Sequence, residues 1–301
     1  MTVRILLFGE TRLVVGGATV TVSQLGRKPR NLLQILAINA GHVVSKERLA
    51  ELLWEDRPPP AYIAGLESYV SVLRHRLPLG AGRSSVLATA ANGYAIDIDR
   101  CEIDLGELRR LGGEGTGATS ARTVRLCERA AALSVGGLLP DEAYAGWALD
   151  ARAESDALLA DLLTRGAQSA TAIGRPERAV ALALAAIEHG AHREDAWQHL
   201  MRAQWFTGRH SDVLRSYARL RSRLVEELGQ EPAAETTAIY LTVLSESTGA
   251  LDDDHRSELR LLLHLLRQSL DGLPGHRTPP LDSELSMAAS RLLMSGPRCP
   301  A

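Results

Sequence analysis

The sequence is poor in several residues that would commit it to particular chemistries. Its 301 residues include three cysteines, Cys101, Cys127 and Cys299. They are far apart, odd in number and never in a CxxC, which argues against both a disulfide framework and a zinc cluster and leaves free thiols. Aromatic residues make up only 4% of the chain. No apolar run approaches the roughly 20 residues of a membrane-crossing helix. The opening MTVRILLFGETRL also has the wrong flanks for a signal peptide, so the chain reads as cytoplasmic with no membrane partner. Lysine is nearly missing: Lys28 and Lys46 stand against 32 arginines. Neither lies in GxxxxGK[ST], so there is no Walker A loop, and there is no GxSxG, HExxH or supported carboxylate pair. His189, His192 and His199 lack a carboxylate or cysteine that would complete a metal set. The reading is of a protein that is not an enzyme and needs no cofactor.

What is present is ordinary globular material, 45% hydrophobic and 23% charged, long enough for two domains. The net charge of -2 hides an asymmetry. Residues 1 to 100 carry a net +4 and the remainder a net -6. A modestly basic head on an acidic body suits a protein that touches phosphates with one end.

Residues 3 to 9 and 12 to 22 alternate like short strands, with Gly16-Gly17 as a hairpin turn. A helix over Arg27 to Asn39 follows, with Leu32, Leu33 and Leu36 toward a core and Gly41 as its stop. Ser45 is placed to cap SKERLAELLW, which buries Leu49, Leu52, Leu53 and Trp54. Pro58-Pro59-Pro60 then opens a third helix, PAYIAGLESYVSVLRHRL. In it Ile63, Leu66, Val70, Leu73 and Leu77 recur at spacings of three and four and form a buried stripe. The opposite face carries Ala61, Ala64, Ser68, Ser71 and His75, with Glu67, Arg74 and Arg76 on the flanks. Beyond it, Ser85 to Thr89 and Tyr94 to Ile98 alternate across an Asn92-Gly93 turn.

A small sheet, three helices and a hairpin is the layout of a winged helix-turn-helix, whose third helix enters the DNA major groove. The run GRKPRNLLQILAINAGHVVSKERLAELLW, the proline link, SYVSVLRHRL and NGYAIDID resemble the DNA-binding head of the Streptomyces antibiotic regulatory protein (SARP) family, which is like the OmpR-type effectors. From about Cys101 the periodicity is helical throughout, broken at Gly112 to Thr119, with helices expected near 121 to 134, 147 to 173, 176 to 188, 193 to 207, 211 to 228 and 233 to 247. Gly174-Arg175 and Gly208-Arg209 lie 34 residues apart, the tetratricopeptide period. VLRSYARLRSRLVEELGQEPAAET resembles the bacterial transcriptional activation domain of the same family.

The expected fold is therefore mainly α: an α+β winged helix-turn-helix over residues 1-100 followed by an all-α tetratricopeptide-like domain over 101-249. A C-terminal extension over 250-301, with Leu259, Leu262, Leu263, Leu266 and Leu270 at helical spacing, reads as a cap on the solenoid or a self-association stripe. The resemblance implies an activator that binds direct repeats in double-stranded promoter DNA as side-by-side protomers. It also implies recruitment of RNA polymerase through the sigma factor and the alpha C-terminal domain, for an antibiotic or other secondary-metabolite cluster. Candidate DNA-binding residues are Arg27, Lys28 and Arg30 on the first helix, and Lys46 and Arg48 on the second. The third helix adds Tyr62, Glu67, Ser68, Ser71, Arg74, His75 and Arg76; the wing adds Thr89, Asn92 and Tyr94. Arg74 and Arg76, on opposite flanks, suit the two phosphate rails. Glu67 either accepts from cytosine N4 or is a solvent-facing charge that repels phosphate. A different class of reading stays open, a helical-repeat regulator that senses a ligand or protein and acts as a repressor or adaptor.

Overall fold

The computed structural model describes residues 3–55, 57–114 and 121–248. The expected extension beyond 250 and most of the expected glycine-rich break lie outside the described residues. The chain falls into two compact units, residues 1–207 and 208–301.

The first unit opens with β1 (Val3–Leu6), β2 (Arg12–Val15) and β3 (Ala18–Thr21), an antiparallel meander whose last turn uses Gly16 and Gly17, both at positive φ. Three helices follow: α1 (Arg27–Ile38), α2 (Lys46–Trp54) and α3 (Tyr62–Arg76). A two-residue strand, β4 (Val44–Ser45), leads into α2, and Ser45 Oγ caps that helix by accepting from Arg48 N at 3.1 Å. Leu32, Leu33, Leu36, Leu49, Leu53, Leu66, Val70 and Leu73 meet in one core. At its edge Trp54 stacks on Tyr69 with ring centroids 6.1 Å apart, so α2 and α3 are joined by an aromatic pair as well as by leucines.

The wing consists of β5 (Leu87–Ala90) and β6 (Gly93–Ile96), with β6 also paired to β4. Its turn is Ala91-Asn92, not the Asn92-Gly93 that the sequence predicts. Gly93 serves another purpose. A Cβ there would sit 2.1 Å from the carbonyl oxygen of Val44, so only glycine lets β4 run this close to β6.

The chain does not become helical at residue 101. β7 (Cys101–Ile103) runs parallel to β1 and completes a sheet of order β3-β2-β1-β7. α4 (Asp104–Glu114) follows directly, and Gly112-Gly113, expected in a flexible break, lie within it. Gly112 is buried there; a Cβ would meet Leu158 Cδ1 at 2.5 Å, so this glycine permits close helix packing. Asp104 fixes the junction: its buried carboxylate accepts from the amides of Leu7, Phe8 and Leu105 at 2.7, 3.0 and 2.8 Å. Burial pushes its pKa up, while those three amides pull it the other way.

The remaining helices of this unit are α5 (Ala121–Leu133), α6 (Leu149–Ala172), α7 (Pro176–His189) and α8 (Glu194–Phe206). Gly174, at φ +71°, turns α6 into α7. The loop between α5 and α6 returns to the first sheet, where Phe8 bridges Leu138 and Leu139 N donates to Leu7 O at 3.0 Å. Arg152 gathers this loop by donating to the carbonyls of Leu138, Leu139, Glu142 and Ala143. In the second unit, α9 (His210–Leu228) ends at Gly229 in the left-handed region and packs on α10 (Ala234–Thr248) through a Tyr217–Tyr240 stack at 4.2 Å. The six helices expected after residue 120 thus form within a few residues of their predicted bounds.

Candidate nucleic-acid interface

α3 is held from behind by Leu66, Val70 and Leu73, with Leu77 buried just past its end. Ile63, expected on the same stripe, is 44% exposed, because it lies at the margin of that stripe in the first turn. Ala64, Glu67, Ser68, Ser71 and His75 all face outward. Among the described residues, the side chains of Ser68, Ser71, His75 and Arg76 make no hydrogen bond or ion pair. Tyr62 is half-buried at the helix start. This face therefore has short side chains along its middle and basic groups in its last turn, where Arg74, His75 and Arg76 also complement the helix dipole.

The two flanks differ. Arg76 reaches the side where Leu77 and the β3 residues Thr19, Val20 and Thr21 form a shallow hollow. Arg74 is tied to the wing: one guanidinium nitrogen, Nη2, donates to Leu87 O at 2.9 Å and to Thr89 Oγ1 at 2.7 Å. Glu67, seven residues before Arg74 and so on the same flank, accepts from Lys46 Nζ at 2.9 Å through Oε1. That hydrogen bond is the main cause of a raised Lys46 pKa, and Lys46 Nζ also stands 5.9 Å from the centroid of the Tyr94 ring. The wing tip joins the same group, since Asn92 Nδ2 donates to Glu47 Oε2 at 3.3 Å and Asn92 O accepts from Lys46 N at 2.9 Å.

One expected contact, Tyr94, is corrected by these positions, and the basic candidates on α1 and α2 each have a neighbour within the protein. Tyr94 is buried at 3% exposure, because it pairs with Val44 across the sheet under Lys46, and its ring is not on the surface of the wing. Arg30 spends its charge inside the protein. Its Nη2 lies 2.9 Å from Glu142 Oε1, and Glu142 is almost wholly buried. Arg27 Nη2 is 3.6 Å from the other carboxylate oxygen but keeps most of its side chain in solvent. Asn31, with its amide turned to satisfy both neighbours, donates to Glu142 Oε1 at 3.0 Å. Lys28 donates to Leu53 O and lies 5.5 Å over the Trp54 ring, fastening α1 to the end of α2. Arg48 is exposed and pairs with Glu51 at 2.9 Å, one turn along α2.

Two residues escape sequence reasoning. Glu142 lies 112 positions from Arg30, with no pattern linking them. Arg57, exposed in the link between α2 and α3, sits among prolines where helical phase gives no information.

Comparison with known proteins decides what this architecture is. The family model described as "Transcriptional regulatory protein, C terminal" matches residues 21–96, and that described as "Bacterial transcriptional activator domain" matches residues 103–244. The regulatory protein DnrI of Streptomyces peucetius is 30% identical over 76% of this chain and 88% of its own. The chain belongs to the Streptomyces antibiotic regulatory protein family. It shares with that family an OmpR-type winged helix-turn-helix followed by an activator domain, and it is a transcriptional regulator. A SARP relative from Streptomyces coelicolor, the transcriptional regulator RedD, is 28% identical over 73% of this chain and 64% of its own. The transcriptional regulatory protein EmbR of Mycobacterium tuberculosis is 30% identical over 80% of this chain, which spans 63% of EmbR. The solved structure of that protein in complex with a low affinity phosphopeptide has a TM-score of 0.69 and 27% identity, covering 88% of this chain and 71% of its own.

Proposed function

We propose that this SARP-family protein activates transcription in the cytoplasm by laying α3 in the major groove of promoter DNA and presenting its helical body to RNA polymerase. One observation carries the reading: the outward face of α3, with Ala64, Ser68 and Ser71 along its middle and His75 and Arg76 at its end, is exposed and backed by a buried leucine stripe. Small side chains let the helix backbone approach the groove floor. Arg76, together with the exposed Arg48, Arg27 and Arg57 elsewhere in the head, supplies phosphate attraction. Thr89 and Asn92 lie at the wing, where the neighbouring backbone passes. The helical hairpins from α5 onward are the surface for protein contact. The family membership supports direct repeats as the target, side-by-side protomers on DNA, and contacts to the sigma factor and alpha C-terminal domain. Membership of the antibiotic regulatory protein family supports control of an antibiotic or related biosynthetic cluster.

The test is a footprint of the full chain on the upstream regions of neighbouring genes, followed by transcription in vitro with purified holoenzyme. Protected repeats and increased transcript are expected. Protection without stimulation would favour the second reading, a repressor or adaptor. That reading draws on a specific observation: Lys28, Arg30, Lys46 and Arg74 already have partners within the protein, so less positive charge is free to meet DNA than the sequence implies.

A further inference from the structure

A carboxylate on the outer face of a groove-reading helix is costly beside phosphates, unless a cation is carried with it. Glu67 has one. Lys46 Nζ lies 2.9 Å from Oε1, and only 21% of the Lys46 side chain is exposed against 56% for Glu67. The cation is thus set back against α2 and the Tyr94 ring, and the carboxylate stands forward. Among the described residues Oε2 of Glu67 accepts no hydrogen bond, which leaves one charged oxygen with capacity to accept. Its neighbours on the face are Ala64, Ser68 and Ser71, none long enough to hold the helix off a base edge. Every base pair in the major groove shows either a cytosine N4 or an adenine N6 donor. A carboxylate suits cytosine, because adenine N6 lies beside the N7 acceptor, which it repels.

Resting on the DNA-binding reading above, we propose that Glu67 is the specificity-determining residue of α3, taking a hydrogen bond from cytosine N4 through Oε2, with Lys46 as its positioning residue and counter-charge. The pair then enters the groove nearly neutral, and repulsion from phosphate no longer opposes the contact. Lys46 in this role is a support for base readout, distinct from the phosphate contact its position at the start of α2 would otherwise suggest.

Selection of sites by the full chain from a random duplex pool tests this, using Glu67→Gln, Lys46→Met and Lys46→Arg. The pair is largely at the surface, where such pairs contribute little to stability, so the variants fold, and a urea curve checks it. The unmodified protein selects a site with cytosine at one position. Glu67→Gln loses that preference by about tenfold with adenine gaining, since glutamine matches adenine N6 and N7. Lys46→Met loses it as well, and Lys46→Arg restores it. Unchanged cytosine preference in Glu67→Gln overturns the inference while leaving DNA binding intact. Loss in Glu67→Gln but not in Lys46→Met overturns the role of Lys46. Selection of no site by the unmodified protein overturns the DNA-binding reading, and this inference with it.

Discussion

The start of α1 and the end of α3 carry similar basic clusters in sequence, Arg27-Lys28-x-Arg30 and Arg74-His75-Arg76, yet the fold uses them differently. At the start of α1, Arg30 neutralises the buried Glu142 and Lys28 lies on Trp54. At the end of α3, Arg74 is bonded to the wing but His75 and Arg76 face outward. Positive charge counted along a chain is therefore an upper bound on charge that can meet phosphate. The first use of a cation in this head is to pay for a buried carboxylate or to fasten two elements.

The sharpest way to break this contrast is Glu142→Ala. It strips Arg30 of its partner in a mostly buried site and should cost about 2 kcal/mol of stability, less than a fully buried pair because Arg27 is largely in solvent. Urea unfolding measures this, and DNA affinity of the folded protein should stay unchanged or rise. A stable variant with weaker binding would mean that Glu142 holds Arg27 or Arg30 in place for DNA. Next comes Arg74. If its work is to hold the wing, Arg74→Lys behaves like Arg74→Ala, since the shorter lysine side chain does not carry its nitrogen out to where Nη2 meets both Leu87 O and Thr89 Oγ1. Both variants lose about 1 kcal/mol of stability and weaken binding. Should Arg74→Lys keep full affinity, the charge alone matters, and Arg74→Ala should then weaken binding on every sequence and lower the salt slope by about 1, as a plain phosphate contact would.

Arg76→Ala is expected to leave the melting curve alone while weakening binding on every sequence by roughly five- to tenfold, with the slope of log affinity against log salt lower by about 1. Titrations at several salt concentrations read both; an unchanged slope removes Arg76 from the interface. The smallest effect belongs to Arg48→Ala, where an exposed pair with Glu51 contributes under about 0.5 kcal/mol, so its influence on stability should be close to the noise of a urea curve.

The elements were legible from the sequence wherever one period ruled. The Leu66-Val70-Leu73 stripe, the Ser45 cap, the Gly16-Gly17 turn and the helices after residue 120 all follow from local pattern. Misreadings fall where a distant part of the chain sets the local outcome. Asn92-Gly93 looks like a turn, but β4 lies against residue 93 and requires the missing Cβ, which moves the turn back by one residue. Gly112 looks like a linker and instead lets Leu158 approach α4. The outer face of α3 was readable as a face. What each of its charges touches was not, because Lys46, Thr89 and Leu87 come from other elements, and Glu142 comes from beyond the head altogether.

The parallel pairing of β7 with β1 bears on any attempt to separate the DNA-binding part as a fragment. Cutting after residue 100, where the wing has just closed, removes Cys101–Ile103 and Asp104 together. It would bare one edge of β1 and leave the amides of Leu7 and Phe8 without their acceptor. A bare strand edge is a template for sticking to another copy. A fragment that carries α4 to its end keeps that edge covered and is expected to stick to itself less than one cut after residue 100.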